Sequence, residues 1–381
     1  MQSSHRLTGA LALVAASLLA SPGALAVSST TARPQLSSTA AAGYTISKYM
    51  AQAGTIGSLT TDNWDPTGGV GAISGFTANY KVAADGSASY TTIQAAINAA
   101  VSAGGTSRKY ISVKAGTYKE VVCIPSSAPP ITLYGLDASA GNTVLHYNNS
   151  NLTPKSTGTA TSKCASNASA TTVGTSDSAS FTVMSKDFRA RNLTFKNSYT
   201  EGSYSGSNQS ALALSVRGDK AIFENVQVIG NQDTLFIGST SYSTVIRAFF
   251  KSSFVQGDVD FIFGHGTAAF YGCTIQYTGA RLGASATSYI FAPSTQSTNS
   301  YGFLVTNSTL NSTGSAGTGK TYLGRNWAQS GAKGQLVIRD TAIGAHVRIT
   351  DPWAAGTNGA AYSSSTARFW EYNNSGTGSG N

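Results

Sequence analysis

The chain has 381 residues and a formal net charge of +9, with 25 Lys and Arg against 16 Asp and Glu. Charged residues make up only 11%, under half the roughly 25% of an ordinary soluble domain, which excludes helical bundles and coiled coils built on Ala, Glu, Lys and Leu. The 18 Tyr, 15 Phe and 4 Trp supply too much apolar surface for a disordered chain, and a β-rich globular protein is left.

In chain order, residues 1–26 come first. His5 and Arg6 precede an apolar stretch from Leu7 to Ala20, and Ala24-Leu25-Ala26 fits a small-x-small cleavage site. This predicts a removable export signal and a secreted, extracellular protein. The apolar stretch is short for the roughly 20 residues that cross a bilayer, and no later run is long enough either. No membrane association is therefore expected. The basic balance calls for an anionic partner. Export and the lack of any Lys/Arg cluster argue against nucleic acid, and an acidic polysaccharide fits better. Among Cys123, Cys164 and Cys273, an oxidising compartment pairs two and leaves one over. No CxxC or His-rich spacing suggests a metal site.

Residues 27–79 are rich in Ser, Thr, Ala and Gly with weak periodicity, and read as an N-terminal extension, either a leader or an extra cap. From Thr92 to Val101 apolar residues recur at helical spacing until Gly104-Gly105 stops them. Short strands separated by turn residues follow at 110–113, 131–134 and 181–184. From about residue 188 a repeat emerges: an apolar or small residue, one spacer, a small polar residue or Gly, two spacers, then an apolar residue. It occurs as Ala190-Asn192-Phe195, Phe223-Asn225-Val228, Phe250-Ser252-Val255, Phe270-Gly272-Ile275, Val305-Asn307-Leu310 and Ile338-Asp340-Ile343. Units of this length with variable insertions predict an all-β solenoid, a single-stranded right-handed parallel β-helix, rather than a sandwich. The helix at 92–101 would cap its open N-terminal edge. The expected organisation is a β-helical domain over 80–372 and a flexible Gly/Ser tail over 373–381.

The repeat also locates chemistry. Asp233 follows Asn225 by eight residues and Asp260 follows Ser252 by eight, whereas the other repeats carry Thr200, Ala280, Ser315 and Arg348 there. If the two coils stack in phase, the carboxyls lie about 4.8 Å apart along the axis. Two acids that close divide their protonation, one ionised and one neutral, as a nucleophile and a general acid require. The bland alternative is two independent turn aspartates.

Five stretches now stand in one order: Gly116-Thr117-Tyr118-Lys119-Glu120, Asn208-Gln209-Ser210-Ala211-Leu212-Ala213-Leu214, Gln232-Asp233-Thr234-Leu235, Asp258-Val259-Asp260-Phe261-Ile262-Phe263-Gly264 and Leu323-Gly324-Arg325-Asn326-Trp327. Together they resemble the signature stretches of the pectin methylesterase (pectinesterase) family of carbohydrate esterases. The likeness runs from about residue 80 to residue 372. It implies that Asp260 is the nucleophile, Asp233 the general acid and then base, and Gln232 with Gln209 the oxyanion donors. Arg325 would orient Asp260 and Trp327 would stack on a sugar. Ser180, Phe236, Val259 and Phe263 are further candidates for substrate contact, with a core role as the alternative for the last three, while Glu120 looks structural. Gly264-His265-Gly266 imitates a motif of polygalacturonases, but the companions of that motif are missing and His265 reads as incidental.

The resemblance also bears on the cysteines. Ser253 and Cys273 share a repeat column in which relatives carry a cysteine pair, so Cys273 is the odd thiol and Cys123 pairs with Cys164. The implied reaction hydrolyses the methyl esters of methyl-esterified homogalacturonan (pectin) to pectate and methanol, without a metal or organic cofactor, and a monomer is expected. The rivals are a β-helical pectin depolymerase, whose paired acids would need about 6.5–9.5 Å between them if inverting, and a polysaccharide-binding adhesin.

Overall fold

A computed structural model describes residues 28–156, 159–167 and 169–380. The export segment foreseen at 1–26 lies outside the described residues.

Three parallel sheets, of ten, eight and eight strands, run the length of the molecule, and beyond the first strand of the ten-stranded sheet each strand pairs with the strand three further along the chain. One strand of each sheet therefore belongs to each coil, and the coils stack as a parallel β-helix. The six repeat units become rungs of this stack. Ala190, Phe223, Phe250, Phe270, Val305 and Ile338 pair in succession. Phe195, Val228, Val255, Ile275, Leu310 and Ile343 do the same in the next sheet. Both columns point inward and are buried. Phe223 stacks on Phe250 with ring centroids 4.6 Å apart, and Phe250 on Phe270 at 4.9 Å. Each fully buried side chain of this size contributes about 2–3 kcal/mol relative to exposure.

The small polar residue at the centre of each repeat has a backbone reason. Asn192, Asn225, Ser252, Asn307 and Asp340 all have φ between 48° and 58°, and Gly272 has 61°. That left-handed conformation turns the chain from one sheet into the next, and a side chain with a branched or bulky Cβ resists it. The Asn225 Nδ2 donates to Asn192 Oδ1 at 2.8 Å, so neighbouring corners also bond to one another.

The N-terminal end is closed by the helix Ile93–Ala103. Thr92 caps it through its side chain, accepting from Ala95 N, and the Glu120 carboxylate accepts from Ile93 N and Gln94 N at 2.8 and 2.9 Å. Glu120 thus satisfies helix-end donors. Ile93, Ala96, Ile97 and Ala100 enter the solenoid core.

Residues 28–79 form no further coil of the stack. Gln35 pairs with Glu371 at the last edge of the ten-stranded sheet, and Tyr49, Met50 and Val70 pack along that sheet's outer face on Ile222, Phe249, Ala269, Leu304 and Val337. Arg247, almost fully buried, ties this layer down by bonding Asp62 and Asp219. The C-terminal residues depart from the expected flexible tail. Ser375 pairs with Ala342, and Gly378 and Ser379 are buried. The Arg33 guanidinium reaches the Gly378 carbonyl at 2.9 Å while pairing with buried Glu371 at 2.8 Å. Composition suggested a loose end because Gly and Ser supply no apolar anchor, but backbone pairing and a buried ion pair hold it on the last coil. Cys123 and Cys164 form a disulfide and Cys273 is a buried free thiol.

Candidate active site

The third sheet carries the site. Its strands are β1 (Val122–Ile124), β2 (Phe181–Val183), β3 (Leu214–Val216), β4 (Leu235–Ile237), β5 (Val259–Gly264), β6 (Ser288–Pro293), β7 (Thr321–Arg325) and β8 (Trp353–Ala354). On its outer face the rungs run Cys123, Thr182, Ser215, Phe236, Phe263, Ala292, with Arg325 and Ala354 paired beyond them. A cleft of about 340 Å³ lies over this face, lined by Ser176, Asn208, Ser210, Gln232, Asp233, Phe236, Asp260, Phe263, Trp327 and Gln329 among others.

Asp233 and Asp260 stand side by side at the entry to β4 and β5. Leu235 pairs with Ile262, so the residues two before them, 233 and 260, occupy the same rung of adjacent coils. Both are left-handed, with φ of 60° and 48°. The Asp233 N–H donates to the Val259 carbonyl at 2.9 Å, locking the phase. Toward β6 the register slips by one residue between Val259 and Ile262. This bulge re-aims the Asp260 side chain, as bulges beside functional sites do.

The two carboxyls have different surroundings. Arg325 Nε and Nη2 donate to Asp260 Oδ1 and Oδ2 at 2.9 and 2.6 Å, and the guanidinium carbon sits 3.9 Å over the Tyr289 ring. Burial pushes the Asp260 pKa up, while the bonds and charge of Arg325 pull it back. Asp233 has no such bidentate partner. Burial, and then the neighbouring Asp260 charge, raise it to about 8 against the opposing bond from Ser210 and the more distant Arg325 charge. The bidentate Arg325 contact favours the charge on Asp260, so Asp233 is the member of the pair placed to hold the proton.

Of the two carboxamides expected beside the acids, one is in the cleft. Gln232 lines it, and its Nε2 donates to Asn208 Oδ1 at 3.1 Å. Gln209 is turned away. Its Oε1 accepts from Tyr199 Oη and Gly202 N at 2.6 and 3.2 Å, and its Nε2 donates to the Tyr204 and Gly206 carbonyls at 3.2 and 2.6 Å. Both ends of the amide are spent on the 199–206 loop, which corrects the expectation of an oxyanion donor there. Its neighbours line the cleft instead. Asn208 Oδ1 accepts from Ser210 N, Ser210 Oγ and Gln232 Nε2. That saturates the oxygen and directs the Nδ2 donor the other way. Strand alternation explains the exchange, because adjacent residues of an extended segment face opposite sides.

Phe236 and Phe263 line the cleft with ring centroids 5.3 Å apart, and Trp327 packs on Phe263 at 5.6 Å. Ser180 lies elsewhere. It is fully buried, and its hydroxyl accepts from Tyr147 N at 3.0 Å, so a substrate contact does not fit. Val259 is not among the lining residues and contributes its carbonyl to Asp233. His265 is buried, with Nε2 near the Ser239 carbonyl at 3.1 Å and its pKa pushed down to about 4 by burial. The flanking Gly264 has φ 126°, and a Cβ there would meet the Ile237 carbonyl at 2.1 Å. The Gly-His-Gly run is thus turn geometry. Asn208 and Ser210 stand within the Asn208–Leu214 stretch but were not singled out there, and Tyr289 lies in none of the five stretches.

The family model described as Pectinesterase matches residues 79–381. A pectinesterase of Ralstonia nicotianae is 62% identical, with both chains covered in full. The structure of rice weevil pectin methyl esterase superposes with a TM-score of 0.77 at 32% identity, covering 92% of this chain and 99% of that one. A pectin methylesterase in complex with a hexasaccharide superposes with a TM-score of 0.64 at 28% identity, covering 80% of this chain and 91% of that one.

Proposed function

The chain belongs to the pectinesterase family, and we propose how its cleft carries out that family's chemistry. The enzyme is a carboxylic ester hydrolase that converts the methyl esters of pectin to carboxylates and methanol. One observation carries the residue assignments: Asp260 is gripped at both oxygens by Arg325, beside an Asp233 whose pKa is pushed up to about 8.

Asp260 attacks the C6 carbonyl of a methyl-esterified galacturonate unit. Arg325 holds it charged and in position, without which a carboxylate is a poor nucleophile. Negative charge develops on the carbonyl oxygen, where Gln232 Nε2 and Asn208 Nδ2 donate. Each preorganised donor is worth roughly 3–4 kcal/mol in the transition state. The tetrahedral intermediate collapses by breaking the bond to the methoxy oxygen, which takes the Asp233 proton and leaves as methanol. A mixed anhydride between Asp260 and the sugar remains. Asp233, now charged, takes a proton from water as the water oxygen attacks the sugar carbonyl carbon. This frees the Asp260 carboxylate and the galacturonic acid, which loses its remaining proton to solvent, and Asp233 ends protonated.

Ser210 Oγ accepts from the acid form of Asp233, and donates to the base form by giving up its bond to Asn208 Oδ1. Phe236, Phe263 and Trp327 offer apolar faces to the sugar rings. The depolymerase reading is not favoured: in-phase stacking leaves the acids closer than an inverting hydrolase needs. Residues 1–26 fit an export signal, so the enzyme acts outside the cell. N-terminal sequencing of the exported protein is expected to begin at Val27.

The test is methanol release from methyl-esterified pectin, followed beside the appearance of reducing ends. Wild type is expected to release methanol alone, and Asp260→Asn to lose about four orders of magnitude in kcat while unfolding at the same temperature. Reducing ends without methanol, or an Asp260→Asn variant near wild-type rate, would overturn the reading.

A further inference from the structure

Arg325 holds the nucleophile, and it is itself held differently from the arginines that serve the fold. Arg247 bonds Asp62, Asp219 and the Met50 carbonyl, and Arg33 bonds Glu371 and the Ile349 and Gly378 carbonyls. Each keeps polar anchors if one is lost. Among the described residues, every hydrogen bond of the Arg325 side chain ends on Asp260. Its remaining support is aromatic. The guanidinium carbon lies 3.9 Å from the centroid of the Tyr289 ring. Tyr289 stacks on Tyr322, with centroids 5.5 Å apart and planes 10° from parallel. The Arg348 guanidinium carbon lies 4.7 Å over Tyr322, and Arg348 is bidentate to Asp351 at 3.1 and 2.7 Å. Coil stacking builds this column. Tyr289 and Tyr322, both half-buried, pair in register on β6 and β7, and the bridge between Thr321 and Val347 brings Arg348 beside Tyr322.

The reaction removes the polar half of that support. In the mixed anhydride one Asp260 oxygen is bonded to the sugar carbonyl carbon, so the side chain carries no charge and the ion pair with Arg325 is lost. Asp233 has by then given its proton to methanol, and it is a carboxylate whose field Arg325 feels. An untethered guanidinium would swing to it and form a charge-assisted pair, and a carboxylate paired in that way is a weaker base. An aromatic face holds the cation without offering a rival charge. A second acid in its place would compete with Asp260.

Resting on the esterase reading above, we propose that Tyr289, backed by Tyr322 and Arg348, is a positioning residue that keeps Arg325 in place while Asp260 is acylated. The column leaves Asp233 free to activate water. It also keeps the guanidinium where it receives the Asp260 carboxylate as the anhydride opens. Its effect therefore falls on hydrolysis of the anhydride and much less on the release of methanol, during which Asp260 still grips Arg325.

Rapid-quench measurement of methanol release from methyl-esterified homogalacturonan tests this, with thermal unfolding as the fold control. Tyr289→Leu is expected to lower kcat about tenfold, the effect of one desolvated cation–ring contact. KM should fall alongside, so that kcat/KM stays within about twofold of wild type. Methanol should appear in a burst approaching one equivalent per enzyme, because acylated enzyme accumulates ahead of slow hydrolysis. Tyr289→Phe keeps the ring and is expected to restore kcat to within about twofold of wild type. Tyr322→Leu, one member further out, should show the same split at about threefold.

An equal fall in kcat and kcat/KM, with KM unchanged and no burst, would make Tyr289 a packing residue and overturn the proposal. An unchanged kcat in Tyr289→Leu overturns it too, as does a Tyr289→Phe variant equally slow. Should Tyr289→Leu fail to fold, Tyr322→Leu decides, and equal losses in kcat and kcat/KM, or no loss, overturn the proposal there. Wild type that releases no methanol would instead defeat the esterase reading, so the two failures are distinguishable.

Discussion

Two columns of left-handed residues run through this solenoid, and they use one backbone device for opposite ends. At the corner between the ten-stranded sheet and its neighbour, the conformation recurs in every coil from Asn192 to Asp340. There it is structural, and Asn225 and Asn192 bond to each other. At the entry to the site sheet it holds Asp233 and Asp260 in adjacent coils, where identical carboxyls one rung apart repel. Asn, Asp and Gly are the residues that accept this conformation readily. The backbone therefore narrows the choice at both columns, and only the need for ionisable groups explains Asp over Asn at the second. Stacking that stabilises amides is turned by a change of one atom into a proton-sharing pair.

The comparison breaks first at its charged end. Arg325→Gln is expected to lower kcat about a thousandfold, in line with loss of one partner of a buried pair. Its acid limb should move to higher pH, because Asp260 without the guanidinium ionises later. A pH profile that loses rate without shifting that limb would remove the electrostatic role. Asn208→Ala and Gln232→Ala are each expected to cost about a hundredfold in kcat with little change in KM. Gln209→Ala should instead lower the unfolding temperature through its lost loop bonds. Finding the larger rate loss at Gln209 would restore it to the oxyanion site.

Asp233 itself sharpens the contrast through stability. Its pKa is raised from an ordinary carboxylate value to about 8 in the folded enzyme, so it favours folding at low pH, and that contribution is lost as pH rises through about 8. Asp233→Asn removes the titration. The variant should therefore be more stable than wild type by on the order of 2 kcal/mol above pH 8, after allowance for partial solvent access. The gain should vanish below about pH 4. A pH-independent difference would mean ordinary packing. At the structural column, Asn225→Val is expected to destabilise by about 1–2 kcal/mol, the left-handed penalty of a β-branched residue, while Asn225→Gly stays close to wild type.

The fold was legible because solenoid stacking writes itself into spacing: the six repeat units are the rungs observed, down to the left-handed centre of each. The acid pair was legible for the same reason, since a shared offset from the repeat became a shared rung. Side-chain choice between neighbours was not. Gln209 looked like the amide donor by type, but the 199–206 loop, an insertion without periodicity, turns and consumes it. Ser180 carried the right hydroxyl in a position that folding seals. The layer formed by residues 28–79 was opaque because its partners lie on the outward face of a sheet more than a hundred residues away, where sequence period says nothing about what covers it. The end of the chain misled by composition, since Arg33 and Glu371 hold it from opposite termini.

The central claim is that stacked Asp233 and Asp260 divide one proton unequally, and infrared difference spectroscopy of carboxyl groups reads it directly. At pH 6.5 the wild type minus Asp233→Asn spectrum is expected to contain a protonated carboxyl C=O band that titrates away near pH 8, and the wild type minus Asp260→Asn spectrum is expected to contain a carboxylate band instead. The reverse assignment, or two carboxylates at pH 6.5, would contradict the account.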